Sequence, residues 1–495
     1  MPALRSCLSF PLACLLAAAP AAAQQPDTAA YRAQAAAELA RLKAQAPIDR
    51  PAKNVIIFIG DGMGVSTLTA ARIHQGQVAG KDGESFVTAM DSLPHTALVR
   101  TYSHDAQVSD SAPTATAILS GVKTRNGVIG LGPEAVPDDC ASARGHELPS
   151  LFALAQRQGR STGVISTARI THATPAAAYA HSAQRDWEAG VPPPQRAAGC
   201  IDIARQLIEG PVGSRLDVVF GGGRRYFLPV TATDTEYPDM AGLRDDGRDL
   251  IAEWRRRNGG GSYVSDARGF AALPDRPRGK VLGLFQPDHM QYEADRAGDV
   301  AGEPSLADMT TRAIAMLSGK RQGYVLLVEA GRIDHAHHAG NARRALEDGV
   351  AFDAAVAAAV AATDPGETLI VTTADHSHAF SFSGYPTRGN PILGVAAGDD
   401  GQPFRARDGK GYTTLGYANG PGAVDHPRDD PAAADTTTLD YRQQALVPLG
   451  GETHGGEDVV VRASGPMAHL FRGTIEQHSI HAVIADALRG RPAVK

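Results

Sequence analysis

The stretch YVLLVEAGRIDHAHHAG, Tyr324 to Gly340, contains both the architecture of the chain and its chemistry. Its first half is an apolar run with no polar alternation, ended by a glycine, which is how a strand buried on both faces reads. Its second half sets Asp334, His335, His337 and His338 just beyond that strand, with Glu329 at the strand's end. Imidazoles and carboxylates cost free energy to bury without partners, so such a cluster is either solvated or holds something.

The same apolar pattern recurs in NVIIFIGDG from Asn54, STGVISTARI from Ser161, LDVVFGGG from Leu216 and ETLIVTTADHSH from Glu367. Between these runs lie helical patterns: LPSLFALAQRQG, CIDIARQLIEG with Gly210 as a stop, SLADMTTRAIAMLSG, and ALEDGVAFDAAVAAAVAATD with Pro365 beyond it. Alternating strands and helices predict an α/β fold, a central mostly parallel sheet flanked by helices. Two segments stand apart. Residues 24–50 read as an N-terminal helical arm, alanine-rich and solvated, that packs on the body or reaches a partner. Residues 385–450, rich in Gly, Pro, Asp and Thr, read as an inserted subdomain or a long ordered loop. The core is then 51–384 with 451–495.

The net charge of −6 and 21% charged residues argue against a nucleic-acid-binding surface. An anionic ligand would have to be held by local positive charge. Residues 1–23 carry one cation, Arg5, an apolar run and a small-residue end at Ala23, the features of a secretory signal, and the run is short for a membrane span. A lipoprotein reading through Cys14 is disfavoured by Pro11. Of four cysteines, two lie in that segment, and the remaining Cys140 and Cys200 in an exported chain suggest one disulfide, with two free thiols as the alternative. No later run is long enough to anchor the chain in a membrane, so the expectation is an exported protein, periplasmic or secreted.

The polar residues fall at strand ends: Asp61 after the first run, Glu329 and Asp334 with the fourth, Asp375, His376 and His378 with the fifth. In open α/β sheets ligands bind beyond the carboxyl ends of the strands, so these groups share one crevice. Asp334 and His338 are spaced i, i+4 and share a helical face, a pair suited to zinc. A third ligand comes from Asp375-His376 or from His454 in THGGED. The candidates exceed one metal's need, which suggests two. His335 and His337 point elsewhere, as supporting groups or surface histidines. In VSDSAPTATAILSG, Ser111 is an N-cap or, at an anion-favouring helix N-terminus, a nucleophile. Pro113 is tolerated in that first turn. Arg185 is a surface charge or a bidentate phosphate ligand.

Taken together, DGMG (Asp61 to Gly64), DSAPTATAILSGVKT (Asp110 to Thr124), HATPAAAYAHSAQRDW (His172 to Trp187), VEAGRIDHAHHAG, TADHSHAFSFSGY (Thr373 to Tyr385) and ETHGGEDV (Glu452 to Val459) resemble the alkaline phosphatase family in order and over nearly the whole mature chain. The animal type is the nearer, because His172 and His335 stand where the common enterobacterial type has Asp and Lys. The resemblance implies a phosphomonoesterase of broad specificity. In it Ser111 forms a phosphoserine intermediate and Arg185 grips the phosphoryl oxygens. It implies two Zn²⁺ and one Mg²⁺ per subunit: Asp334, His338 and His454 on one zinc, Asp61, Asp375 and His376 on the other, and Asp61, Thr174 and Glu329 on magnesium, with His172 nearby and His335 outside the ligand sets. Six positive charges would meet four carboxylates, leaving a surplus that attracts a phosphate dianion.

The resemblance also implies a Cys140–Cys200 disulfide and a homodimer, formed by the arm, a crown-like insertion and Tyr385 reaching the neighbouring subunit. It extends in part to a calcium site, matched by Glu236, the Phe285 carbonyl and Glu303, whereas Gln286 stands where a glutamate is expected. Pro113 replaces a small residue, and the animal C-terminal anchor signal is missing. The alternatives are a sulfatase or phosphodiesterase of the same superfamily, or a non-catalytic metal- or phosphate-binding protein. Against the sulfatase stands Ala115, where that chemistry requires arginine.

Overall fold

The computed structural model describes residues 27–423 and 427–489, so the expected signal segment lies outside the described residues. Five of the strands are the apolar runs: β1 (Asn54–Gly60), β3 (Ser161–Arg169), β4 (Val218–Gly222), β7 (Tyr324–Ala330) and β8 (Thr368–Ala374). β2 (His95–Arg100), β5 (Ser262–Val264), β6 (Val281–Leu284), β14 (Val459–Ser464) and β15 (Gly473–Glu476) complete a ten-stranded sheet in the order β15-β2-β14-β8-β1-β7-β3-β4-β6-β5. Every residue of β7 and β8 is buried, as is all of β1 but Asn54. Helices cover both faces, so no side of these strands needs polar residues and the apolar runs are continuous.

All neighbours pair parallel except β14, which runs antiparallel to both β8 and β2. From β1 the chain moves to β2 on one flank of the sheet and later to β3 on the other. The carboxyl ends of β1, β7, β8 and β3 therefore border one crevice, where such sheets bind ligands. Behind it, the Ala342–Ala362 helix packs its Phe352 edge-on against Phe58 of β1, with centroids 5.8 Å apart.

Outside the main sheet, β10 (Phe380–Phe382), β11 (Leu415–Gly420) and β12 (Ala445–Pro448) form a small three-stranded sheet. β9 (Ser377–His378) and β13 (His454–Gly455) pair antiparallel over two residues, with His454 opposite His378. The arm is the helix Thr28–Ala44, capped by Asp27 and burying none of its residues. Among the described helices none is long and apolar enough to cross a membrane.

Cys140 and Cys200 are joined in a disulfide, with Cα atoms 5.8 Å apart across 60 positions of sequence. Cross-linking a loop of that length restricts the unfolded chain by about 4 kcal/mol on the chain-entropy estimate. The bond ties Asp139–Ala143 to the segment before the Ile203–Glu209 helix, close behind the turn that carries Arg185.

Candidate active site

Asp61 follows β1 directly, and the next residue, Gly62, has φ +67°. A side chain there would be strained, and its Cβ would lie 2.2 Å from His378 Nε2. Gly62 N–H donates to Asp375 Oδ1 at 2.9 Å, which locks the end of β1 to the end of β8. The helix Ser111–Ser120 then points its N-terminus into the crevice. Its cap is Asp110, which accepts from Ala112 N–H, so the Ser111 hydroxyl is not used in capping. Ser111 Oγ instead lies 3.3 Å from Asp61 Oδ1 and 3.2 Å from His376 Nε2, buried to 2% exposure.

The ligand-type atoms collect in overlapping groups. Asp61, Asp375 and His376 offer atoms within 4.8 Å of one another, as do Asp61, His172 and Glu329, and as do Asp334, His376, His378 and His454. Asp334 Oδ1 is 3.3 Å from His338 Nε2 and 3.3 Å from His454 Nε2. The pairing of β9 with β13 is what carries His454 to Asp334 across 120 positions of sequence.

The imidazoles are oriented by backbone carbonyls, which can only accept a hydrogen bond. His338 Nδ1 faces Glu452 O at 2.5 Å, His454 Nδ1 faces Ser109 O at 2.8 Å, and His376 Nδ1 faces Ser377 O at 3.2 Å. Each ring therefore carries its proton on Nδ1 and turns the Nε2 lone pair toward the carboxylates, the arrangement of a metal-binding histidine. His378 differs, because both its nitrogens meet carboxylates: Glu452 Oε2 at 2.6 Å and Asp334 Oδ1 at 2.9 Å. Burial disfavours its charge, but those two partners outweigh it and push the ring up to about 9. Both its nitrogens are thus engaged by carboxylates, which steadies Asp334 and leaves neither free for another partner.

The carboxylates are in tension. Burial, then repulsion from Asp375, Asp334 and Glu329, raises Asp61 well above the usual carboxylate range. Burial raises Asp375 as well. Burial raises Glu329 to about 7, against the pull of the Ser166 hydroxyl. Only Asp334 is held well below the usual range, because His338, His378 and His454 outweigh its burial. Moreover Glu329 Oε1, Thr174 Oγ1 and His172 Nδ1 are buried with no hydrogen-bond partner among the described residues. Unpaired buried acceptors beside crowded carboxylates are the donor set of cation sites. The imidazole-containing groups suit zinc and the oxygen-rich one suits magnesium.

Arg185 approaches from the turn after β3: its guanidinium lies 3.0 Å from His172 Nε2 and 3.5 Å from Asp110 Oδ1. His335 lies beside His172, ring centroids 5.5 Å apart, with His289 at 4.1 Å from His335. His337 is fully buried, bonded to Thr67 Oγ1 and Tyr417 OH, so it is neither a ligand nor a surface group. Tyr385 stands apart from the crevice at 91% exposure. The calcium-type residues are engaged by neighbouring protein groups. Glu236 Oε2 is paired with Arg224, Glu303 Oε1 accepts from Gln291 N–H, and the Gln286 amide donates to Asp299.

Sequence reasoning left Glu452 and Ser166 without a role, and noted His378 only as a strand-end group. His378 repeats the spacing of His376 by two, a usable signal along an extended strand. Glu452 has none, since its place depends on the β9–β13 pairing.

The family model described as Alkaline phosphatase matches residues 52–489. The tissue-nonspecific alkaline phosphatase isozyme of Gallus gallus is 46% identical over 447 residues, covering 88% of this chain and 84% of that protein. The alkaline phosphatase of Gadus morhua is 45% identical over 450 residues, covering 89% and 92%. Among solved structures, the alkaline phosphatase of Thermus thermophilus aligns with TM-score 0.64 at 24% identity, covering 90% of this chain and 94% of that one, a likeness of fold. With a family match along the core and relatives near 45% identity over most of the chain, the crevice at the strand ends belongs to a phosphoric monoester hydrolase, and the chain is a member of the alkaline phosphatase family.

Proposed function

We propose that this phosphatase cleaves phosphate monoesters of broad structure through a phosphoserine on Ser111. The observation that carries the reading is the Ser111 hydroxyl at a helix N-terminus, free of capping and within 3.3 Å of both Asp61 and His376. Helix N-terminal N–H groups favour an anion there. Arg185 is suited to grip two phosphoryl oxygens, its guanidinium lying against Asp110, the cap of the Ser111 helix. The Ser111 oxygen then displaces the alcohol oxygen at phosphorus, and water releases phosphate in the second half-reaction. The contacts fall on the phosphoryl end, which supports tolerance of many alcohols.

The donor sets support two Zn²⁺, on Asp334, His338 and His454 and on Asp61, Asp375 and His376, and one Mg²⁺ on Asp61, Thr174 and Glu329, with His172 beside it. When bound, these cations supply charge that favours ionisation of the serine hydroxyl and neutralises the attacking and leaving oxygens. The protein's own share is orientation: carbonyls fix the imidazoles and Gly62 N–H fixes Asp375. No calcium is proposed at Glu236 and Glu303, where the Arg224 guanidinium and the Gln291 N–H already supply partners.

Turnover of an aryl phosphate, an aryl sulfate and a bis-aryl phosphate tests the reading. The monoester is expected to be fastest by orders of magnitude, and faster sulfate or diester cleavage would overturn it. Export to the periplasm or the medium is supported by the Cys140–Cys200 disulfide. A homodimer is supported by an arm that buries none of its own residues and by Tyr385 projecting into solvent. Sedimentation as a monomer would remove that part. The core is assigned to 51–384 and 451–495, the crown-like insertion to 385–450.

A further inference from the structure

We propose that Glu452 is a positioning residue that sets the geometry of the Asp334, His338 and His454 cation site from behind, through two histidines at once. The proposal rests on the reading of those three residues as a metal site.

Glu452 is buried and every polar atom it owns is engaged. Its carbonyl accepts from His338 Nδ1 at 2.5 Å, and its N–H donates to His338 O at 2.9 Å. Its carboxylate accepts from His378 Nδ1 at 2.6 Å through Oε2 and from Ala379 N–H at 2.6 Å through Oε1. One residue thus straps the end of the Arg332–His338 helix to the segment that follows β8. The consequences reach the site by two routes. The carbonyl fixes the tautomer of His338, which must then present Nε2 toward Asp334 and His454. The carboxylate fixes His378, which hands its other N–H to Asp334 Oδ1 at 2.9 Å and so sets the rotation of that carboxylate. Glu452 lies two positions before His454, so the loop that delivers a ligand also braces the other two. Groups that orient metal ligands in this way hold about ten- to a hundredfold of metal affinity.

Substitution of the side chain leaves the carbonyl in place, so only the second route is removed. The test is zinc titration of metal-stripped protein against a chromogenic chelator, for wild type, Glu452→Gln and Glu452→Ala. In Glu452→Ala one zinc phase is expected to weaken about ten- to a hundredfold, while the other phases stay as in wild type. Glu452→Gln, which keeps an acceptor without its charge, is expected to fall between the two. A folded Glu452→Ala protein that titrates like wild type overturns the proposal, and so does equal weakening of all phases, which would mark a general structural role. If Glu452→Ala fails to fold by circular dichroism, Glu452→Gln decides: a selective loss supports the proposal and wild-type affinity overturns it. Absence of zinc uptake by the wild type would instead sink the metal-site reading itself.

Discussion

Replacing Ser111 by alanine is expected to lower kcat for an aryl phosphate by on the order of 10³-fold or more, the scale seen when a nucleophile is removed from an otherwise intact site. It should also abolish the labelled phosphoenzyme trapped from substrate at acidic pH. The change removes one buried oxygen whose partners are Asp61 and His376. Alanine is a better helix former than serine, and Asp110 rather than Ser111 caps the helix, so folding should be undisturbed. What remains is a crevice with Arg185 and its cation ligands intact, which can still orient a monoester for direct attack by water. A residual rate without a trapped intermediate is therefore the expected signature. Unchanged labelling in Ser111→Ala would remove the serine from its role, and an unchanged kcat would remove the two-step scheme.

How much of this was legible beforehand depended on burial. Strands covered on both faces, such as Tyr324–Ala330 and Thr368–Ala374, read as unbroken apolar runs, and their boundaries fell where glycine and acidic residues began. Val459–Ser464 alternates buried and half-buried residues, a strand signature, but it sits among glycine-rich loops and binds the sheet in the opposite sense, so its pattern alone does not place it in the sheet. Ser262–Val264 and Val281–Leu284 are too short for any period to emerge.

The site was legible where chemistry and spacing coincided. Asp334 and His338 share a helical face whatever the fold, and Asp61, Glu329 and Asp375 gather wherever parallel strands end together. His454 is different, since nothing local ties THGGED to the Arg332–His338 helix. It arrives through a two-residue pairing that leaves no trace in the pattern of apolar residues. Glu452 was invisible for the same reason, and His337 was misleading: imidazoles adjacent in sequence invite one explanation, yet His338 faces the cation site while His337 is enclosed between Thr67 and Tyr417. Which ring serves which purpose is fixed by the second nitrogen's partner, and for His337, His338, His378 and His454 that partner is distant in sequence.

Stripping the metals should abolish turnover and also steepen a fall of stability with pH that can be worked out from the buried charges. Without cations, the folded protein holds protons on Asp61 and up to about pH 7 on Glu329, whereas the unfolded chain has released them by about pH 5. The folded state then binds more protons than the unfolded one, so stability falls as pH rises. His378 adds to this, since its ring is held up to about 9 and its contribution, complete below the unfolded value near 6.5, is lost on the way to that pH. The buried rings of His172, His335, His337 and His376 act oppositely, being depressed by burial, but they matter only below about 6.5, where the unfolded rings are charged. Above about pH 6.5 the histidine opposition is therefore gone, Glu329 loses its proton around 7 and His378 loses its own toward 9, so the metal-free protein should lose melting temperature over that range. Cations replace the protons on the crowded carboxylates, so the loaded protein should show a shallower decline. Each site filled at a hundred times its dissociation constant adds about 2.7 kcal/mol, which places the loaded protein well above the stripped one throughout. Melting curves from pH 7 to 9, before and after zinc and magnesium are restored, measure both slopes. A stripped protein whose melting temperature is level or rising over that range would mean that His378 does not hold its charge between Glu452 and Asp334.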